Sequence, residues 1–360
     1  MGQEPAPINL FGYEARAEAL LPPDIHGYFA GGAEDETSIA ANREAFAQWR
    51  LLPRVLRGVA SPDLSTSILG QDVSLPVLLT PLATQRLVHS EGERASARAA
   101  REAGTTFILS TSASLTIEEV APAAGNWWFQ LYVQRDRAVT EDLVHRAEAA
   151  GAGALVLTVD LPIFGRRERD LHYGFRIPAD MRPYDAAPAR VDGLSVEGPY
   201  QPLRWDDLAW LNSLSRLPLV LKGILAPDDA RLAVDHGAQA IVVSNHGGRQ
   251  LDGAVASLDA LPAVVAATHG RAEILMDGGI RRGADVLKAL ALGAGAVLLG
   301  RPFVWGLAVN GEAGVLHVLN LLREELATAM LLCGCASVQE ISQELLVPPG
   351  ELPVAPLPDR

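Results

Sequence analysis

From Val73 onward the chain alternates short apolar runs, rich in Val, Ile and Leu, with stretches whose apolar positions recur at helical spacing. A run that is apolar at nearly every position suits a strand buried on both faces. Such strands, separated by amphipathic helices, build a parallel sheet. The pattern predicts eight strands, at 73–80, 106–110, 127–133, 154–160, 217–222, 240–244, 273–277 and 296–300. Helices are expected at 91–103, 117–124 and 140–150, around Asp228, Leu258 and Val286, and at 314–333. Eight such repeats close a (β/α)8 TIM barrel of the α/β class. Residues 1–72 then form an N-terminal helical extension over one end, 73–335 the barrel and 336–360 a C-terminal tail, within a single domain. The stretch from 161 to about 203, after strand 4, is rich in Pro, Gly and Arg and holds no sustained period. It is expected to be a long, mobile loop covering an active site, the alternative being a decorative surface insertion.

Composition adds exclusions. With 49% apolar and 20% charged residues over 360 positions, the chain has ample material for a core. A formal net charge of -13 argues against nucleic acid as a partner, so any anionic ligand must be met by locally placed cations. Cys333 and Cys335, the only cysteines, are too close for an unstrained disulfide, and no Cys or His cluster offers a metal site. No metal is expected, and a reducing, cytoplasmic setting is. Residues 1–10 lack the basic start and apolar core of a signal peptide. The longest uncharged apolar stretch, 289–300, falls well short of the roughly 20 residues that cross a bilayer, so no membrane association is expected.

In barrels of this kind chemistry collects where strands end, so polar residues at those ends are the candidates. They are Ser110 with Ser112, Gln130 with Tyr132, Thr158 with Asp160, Lys222, Ser244-Asn245-His246, Asp277-Gly278-Gly279 and Gly300-Arg301. Any one alone reads as a satisfied polar group; seven ends together do not. Lys222, closing Leu219-Val220-Leu221, needs an anionic or electron-rich partner to offset its desolvation. The segments Asp277-Gly278-Gly279-Ile280-Arg281 and Gly300-Arg301-Pro302 are Gly-rich, cationic and followed by helical sequence, which suits phosphate binding at the seventh and eighth loops. His145, His236, His269 and His317 lie in polar helical or turn contexts. His246 instead ends a β-run and opens Gly247-Gly248-Arg249, placing an imidazole beside a guanidinium at the barrel mouth, as an acid-base catalyst acting on a carboxylate requires.

At these residues the sequence resembles the FMN-dependent L-2-hydroxy acid oxidase and dehydrogenase family, which includes glycolate oxidase, lactate oxidase and mandelate dehydrogenase. The resemblance runs nearly end to end, from Tyr28-Phe29-Ala30-Gly31-Gly32-Ala33 through Phe129-Gln130-Leu131-Tyr132, Leu157-Thr158-Val159-Asp160 and Gly165-Arg166-Arg167-Glu168 to Ser244-Asn245-His246-Gly247 and Asp277-Gly278-Gly279. It implies FMN across the barrel mouth, its ring held by the backbone of Pro81, Leu82 and Ala83, by Ser110, Gln130 and Thr158, and by Lys222, with Ser244 beside them. Asp277, Gly278, Gly279, Arg281, Gly300 and Arg301 would hold the ribityl chain and phosphate. The substrate carboxylate would sit between Arg249 and Arg167, with Tyr28 and Tyr132 donating hydrogen bonds, because a guanidinium fork matches two carboxylate oxygens. His246 is expected to remove a proton while electrons pass to the flavin, and Asp160 to steady the imidazole.

Members that oxidise glycolate carry Trp where this chain has Ser112, and lactate oxidases carry Tyr. With Ala83 nearby, the resemblance therefore implies a roomier pocket, suited to a longer aliphatic or aryl 2-hydroxy acid. Membrane-bound relatives insert a hydrophobic segment after strand four, whereas this chain places Arg166, Arg167, Arg169, Asp170, Arg176, Asp180 and Arg182 there. Oxygen is accordingly the expected acceptor, giving hydrogen peroxide, with a soluble dehydrogenase passing electrons to a quinone or carrier as the alternative. A catalytically silent flavin scaffold and a flavin-dependent isomerase are rival readings, disfavoured by the His246, Asp160, Arg249 and Tyr28 set and by the paired arginines. The family implies a homotetramer.

Overall fold

All eight apolar runs form strands in the computed structural model, which describes residues 5–181 and 201–350. They are β1 (Val77–Leu79), β2 (Phe107–Ser110), β3 (Trp127–Leu131), β4 (Leu155–Thr158), β5 (Leu219–Ile224), β6 (Ala240–Val243), β7 (Glu273–Asp277) and β8 (Ala296–Leu299). Each pairs in parallel with the next, and β8 pairs with β1 to close the barrel. Leu78, Ile108, Trp128, Val156, Val220, Val242, Leu275 and Leu298 pack as one interior cluster. Their neighbours Leu79, Phe107, Leu109, Phe129, Leu157, Leu221, Val243 and Leu299 join the larger core between sheet and helices. Because both faces are buried, the runs show no polar alternation.

The extension supplies α1 (Leu10–Leu20), α2 (Pro23–Ala30) and α3 (Thr37–Gln48). Around the barrel follow α4 (Gly92–Glu102), α5 (Ile117–Val120), α6 (Arg137–Ala149), α7 (Glu168–Tyr173), α8 (Asp207–Leu214), α9 (Pro227–Asp235), α10 (Ser257–Thr268), α11 (Gly283–Ala291) and α12 (Arg301–Cys333). No helix among the described residues is long and apolar enough to cross a membrane.

Several expectations are corrected. The first strand starts at Val77, not Val73, because Gln71–Val73 pairs antiparallel with Thr66–Ile68. Leu69 (φ 49°) and Gly70 (φ 74°) make the two-residue turn, and the Glu273 carboxylate accepts the Leu69 N–H at 3.0 Å. Positive φ at both central residues matches the twist of a tight hairpin. Ile68 and Val73 of this hairpin cluster with Ala154, Ala240 and Ala296 near the strand starts, so the hairpin stoppers the barrel's amino end. The region after β4 is not wholly irregular: α7 occupies six residues, ended by Gly174 at φ 60°, and α8 precedes β5 where no helix was expected. Residues 182–200 of that expected loop lie outside the described residues. The helix expected at 314–333 is present, and a further helical segment from Arg301 precedes it, the two parted by non-helical backbone at Asn310 and Gly311. In the tail, Leu346–Val347 pairs antiparallel with Arg50–Leu51, while 351–360 lie outside the described residues.

Candidate active site

The strand ends surround a cleft open to solvent. Its floor is polar by register: Ser110 sits opposite Gln130 on the neighbouring strand, and Thr158 opposite Lys222. Ser110 Oγ donates to Gln130 Oε1 at 3.0 Å, and Gln130 Nε2 donates to Thr158 Oγ1 at 3.0 Å. Gln130 itself is buried behind the surface, while Ser110 and Thr158 line the cleft.

Lys222 is 3% exposed and finds the partners its burial demands, Asp277 Oδ2 at 2.9 Å and Ser244 Oγ at 2.9 Å. Burial would lower its pKa, but Asp277 and Asp160 outweigh it and raise the pKa, so the ammonium stays charged. Ser244 lies beneath the cleft wall; its Oγ also accepts the His246 backbone N–H at 3.0 Å.

His246 Nδ1 lies 2.9 Å from Asp160 Oδ1. An ionised carboxylate only accepts, so Nδ1 carries the proton and Nε2 presents its lone pair. Burial pulls the imidazole below its ordinary pKa; Asp160 pulls it up, and Lys222 and Arg167 push it down again. The net direction leaves a neutral base at neutral pH. For Asp160, burial pushes upward, but His246 and then Lys222 hold its carboxyl below the usual range. Asp160 is therefore the standing anion of the pair, placed behind His246 and not on the cleft surface.

The same cleft is lined by Tyr28, Tyr132, Arg167 and Arg249. Arg249 Nη1 donates to the carbonyls of Tyr28 at 2.7 Å and Gly31 at 2.8 Å, and its guanidinium covers the Tyr28 ring at 5.3 Å. Its pKa falls to about 10 through burial and the neighbouring Arg167. Arg301 donates to the carbonyls of Phe29, Ala30, Gly31 and Gly247, and falls to about 9 through burial, Arg249 and Arg281. These two depressions mark a cleft with positive charge in excess. Among the described residues, Arg167, Lys222, Arg249, Arg281 and Arg301 line it with one carboxylate, that of Asp277, although the whole chain carries -13.

Gly278 (φ 98°) and Gly279 (φ 82°) turn the chain after β7, and Gly300 precedes α12. A Cβ on Gly279 would overlap the Asn42 carbonyl, so only glycine fits that turn. Three buried polar atoms without a partner border this one cleft: Thr80 Oγ1, Arg167 Nε and Asp277 Oδ1. Unpaired buried donors and acceptors are costly, so their convergence suits a ligand with hydroxyls and anionic groups. Together with the glycine turn and the arginines, the donor set fits FMN. No group of His, Cys, Asp and Glu among the described residues could hold a metal ion.

Pro81, Leu82, Ala83 and Ser112 complete one wall. Sequence reasoning did not single out Phe164 and Ile177, which form apolar lining from the region after β4. Phe164 directly precedes the Gly165-Arg166-Arg167 motif, the one local signal that could have flagged it; nothing in the sequence marks Ile177.

Comparison with known proteins agrees with this construction. The family model described as FMN-dependent dehydrogenase matches residues 17–348. The chain is 51% identical to an L-lactate oxidase of Nostoc sp. over 95% of its own length and 98% of the relative's. It is 47% identical to a glycolate oxidase of Spinacia oleracea over 93% of this chain and 94% of that one. Its fold superposes on mandelate oxidase solved with (S)-4-hydroxymandelic acid with a TM-score of 0.90 at 46% identity, covering 95% and 98% of the two chains. A glycine-lined cationic cleft at the mouth of a closed parallel barrel, and a family match over nearly the whole chain, lead to one assignment: this protein belongs to the FMN-dependent dehydrogenase family.

Proposed function

We propose that the protein oxidises a small L-2-hydroxy acid to the corresponding 2-oxo acid, with dioxygen as the acceptor and hydrogen peroxide as the second product. The observation that carries this reading is an imidazole, backed by a carboxylate at 2.9 Å, lining the same cleft as two guanidiniums. In this reading Arg249 and Arg167 grip the substrate carboxylate, and Tyr28 and Tyr132 donate hydrogen bonds to it. That grip turns the α-hydroxyl and α-carbon toward His246 Nε2, which takes a proton, and Asp160 stabilises the imidazolium that results. Pro81, Leu82, Ala83, Ser110, Gln130 and Thr158 would hold the isoalloxazine ring, and Lys222 supplies a fixed positive charge beside it. Asp277, Gly278, Gly279, Arg281, Gly300 and Arg301 would hold the ribityl chain and phosphate. Bound FMN supplies the two-electron acceptor and the route to oxygen. Small Ala83 and Ser112, in one cleft with apolar Phe164 and Ile177, favour an extended aliphatic or aryl side chain.

Anaerobic addition of glycolate, L-lactate and L-mandelate to the purified holoenzyme, followed by air, tests the reading. Flavin bleaching, strongest with L-mandelate, then rapid recolouring with peroxide is expected. Slow recolouring would make the protein a dehydrogenase, and no bleaching with any acid would overturn the reading. The protein is further read as a cytoplasmic homotetramer. The free, buried thiols of Cys333 and Cys335 support a reducing compartment, and exposed Val55, Leu56 and Leu332 support subunit contact. Light scattering that finds one chain per particle would refute the assembly.

A further inference from the structure

His246 lies in the left-handed backbone region at φ 58°, followed by Gly247 at 63° and Gly248 at 75°. A residue with a β-carbon holds that conformation only where its surroundings impose it. Here the surroundings are largely α3, a helix outside the barrel. Asn42 Nδ2 donates to Asn245 Oδ1 at 2.8 Å, and Asn245 Nδ2 returns a bond to Asn42 Oδ1 at 3.0 Å. Asn42 Oδ1 also accepts the Ser257 N–H at 3.2 Å, and Asn245 Oδ1 the Gly248 N–H at 3.2 Å. The Asn245 N–H donates to Ser257 Oγ at 3.2 Å. Asn42 is 3% exposed and Asn245 4%, so water does not compete for these bonds.

The same helix turn reaches the next loop. The Asn42 carbonyl fills the space a side chain at Gly279 would need, and the Arg43 guanidinium bonds the Gly279 carbonyl and, at 3.0 Å, Asp285. At the start of α3, Asp252 accepts the Thr37 and Ser38 N–H groups, and Ala33 N–H donates to the Gly248 carbonyl. The loop bearing His246 is thus stitched to the extension at Asn245, Gly248, Arg249 and Asp252, and Asn42 makes the stitch nearest the imidazole in sequence.

We propose that Asn42 is a positioning residue, whose reciprocal amide pair with Asn245 holds His246 in its left-handed conformation and so aims Nε2 at the substrate. The proposal rests on His246 being the base. Neither asparagine touches the cleft surface.

The test compares Asn42→Ala, Asn245→Ala, their double variant and Asn42→Asp with wild-type holoenzyme. Turnover is expressed per bound FMN, and hydrogen–deuterium exchange is followed over 244–252. Asn42→Ala should lower kcat about 10- to 100-fold, the scale expected of misplacement near one ångström, with KM changed less than about 3-fold. The double variant should be no worse than either single one, because one pair is broken in all three. Exchange over 244–252 should rise. Asn42→Asp keeps both acceptor bonds but sets a buried carboxylate oxygen against Asn245 Oδ1, so it should lose at least as much as Asn42→Ala; Asn245→Ala carries the test if Asn42→Ala fails to fold. An unchanged kcat with only a lower Tm, a multiplicative loss in the double variant, or unchanged exchange over 244–252 would overturn the proposal. Wild-type flavin that no hydroxy acid bleaches would instead refute the oxidase reading, and the exchange comparison would still report on the loop.

Discussion

A base is useful only while it is unprotonated, and at His246 burial, Lys222 and Arg167 together win over Asp160 in that direction. The sign for activity follows. Since the imidazole titrates below its ordinary 6.5, kcat/KM should be level above pH 6.5 and fall as pH drops through the lowered value. Asp160→Asn removes the largest influence raising that pKa, so the acid limb should move to still lower pH. The unsupported imidazolium should cost about 100-fold or more in kcat, read from pH profiles of both proteins. His246→Ala should lower kcat about 10²- to 10⁴-fold while the bound flavin keeps its visible spectrum; normal turnover would remove the base assignment. A one-dimensional reading could select Lys222 and His246 because a charged or titratable group ending an apolar run is conspicuous. It could not find Asn42, one polar residue in a helix of many, or the carbonyls of Phe29, Ala30 and Gly31 gathered around Arg301, because those relations join segments more than 200 positions apart.

At the scale of elements, β-runs buried on both faces were legible because their apolar pattern is continuous. The hairpin at Thr66–Val73 was not, since its turn is Leu69-Gly70 and lacks the usual Asn-Gly or Asp-Gly signal. The six residues of α7 are likewise too few to show a period. Turns themselves yield a prediction by contrast. Gly279 and Gly253 share positive φ, 82° and 77°, but a Cβ at Gly279 would strike Asn42 while nothing lies within 4 Å at Gly253. Gly253→Ala should cost about 1 kcal/mol, the backbone penalty alone. Gly279→Ala should cost at least ~2 kcal/mol in urea unfolding of the apoprotein and should also weaken FMN binding. Equal costs at the two sites would show that the steric contact with α3 is immaterial.

Across the whole molecule, a chain of net charge -13 concentrates five cations around one cleft. Removing FMN should therefore leave a repulsive site whose stability depends on anions. Apoprotein melting should rise more with inorganic phosphate than with sodium chloride at matched ionic strength. FMN at about 1,000 times its Kd should add roughly 4 kcal/mol. Equal effects of the two salts would argue that general screening, not a built anion site, relieves the repulsion. The barrel order was readable from the alternation of strand and helix, but the closure of the outer chain was not, because two-residue strands leave no pattern. Arg50–Leu51 follows directly on α3 and is clasped by Leu346–Val347, with a second tie where the Asp63 N–H meets the Ala336 carbonyl at 2.8 Å. The two flanks of the chain thus meet like the ends of a belt, buckled beside the helix that carries Asn42. For protein engineering this sets where the chain should not be cut: a circular permutant opened between 336 and 347 would undo the buckle and, through Asn42, loosen the loop that bears His246.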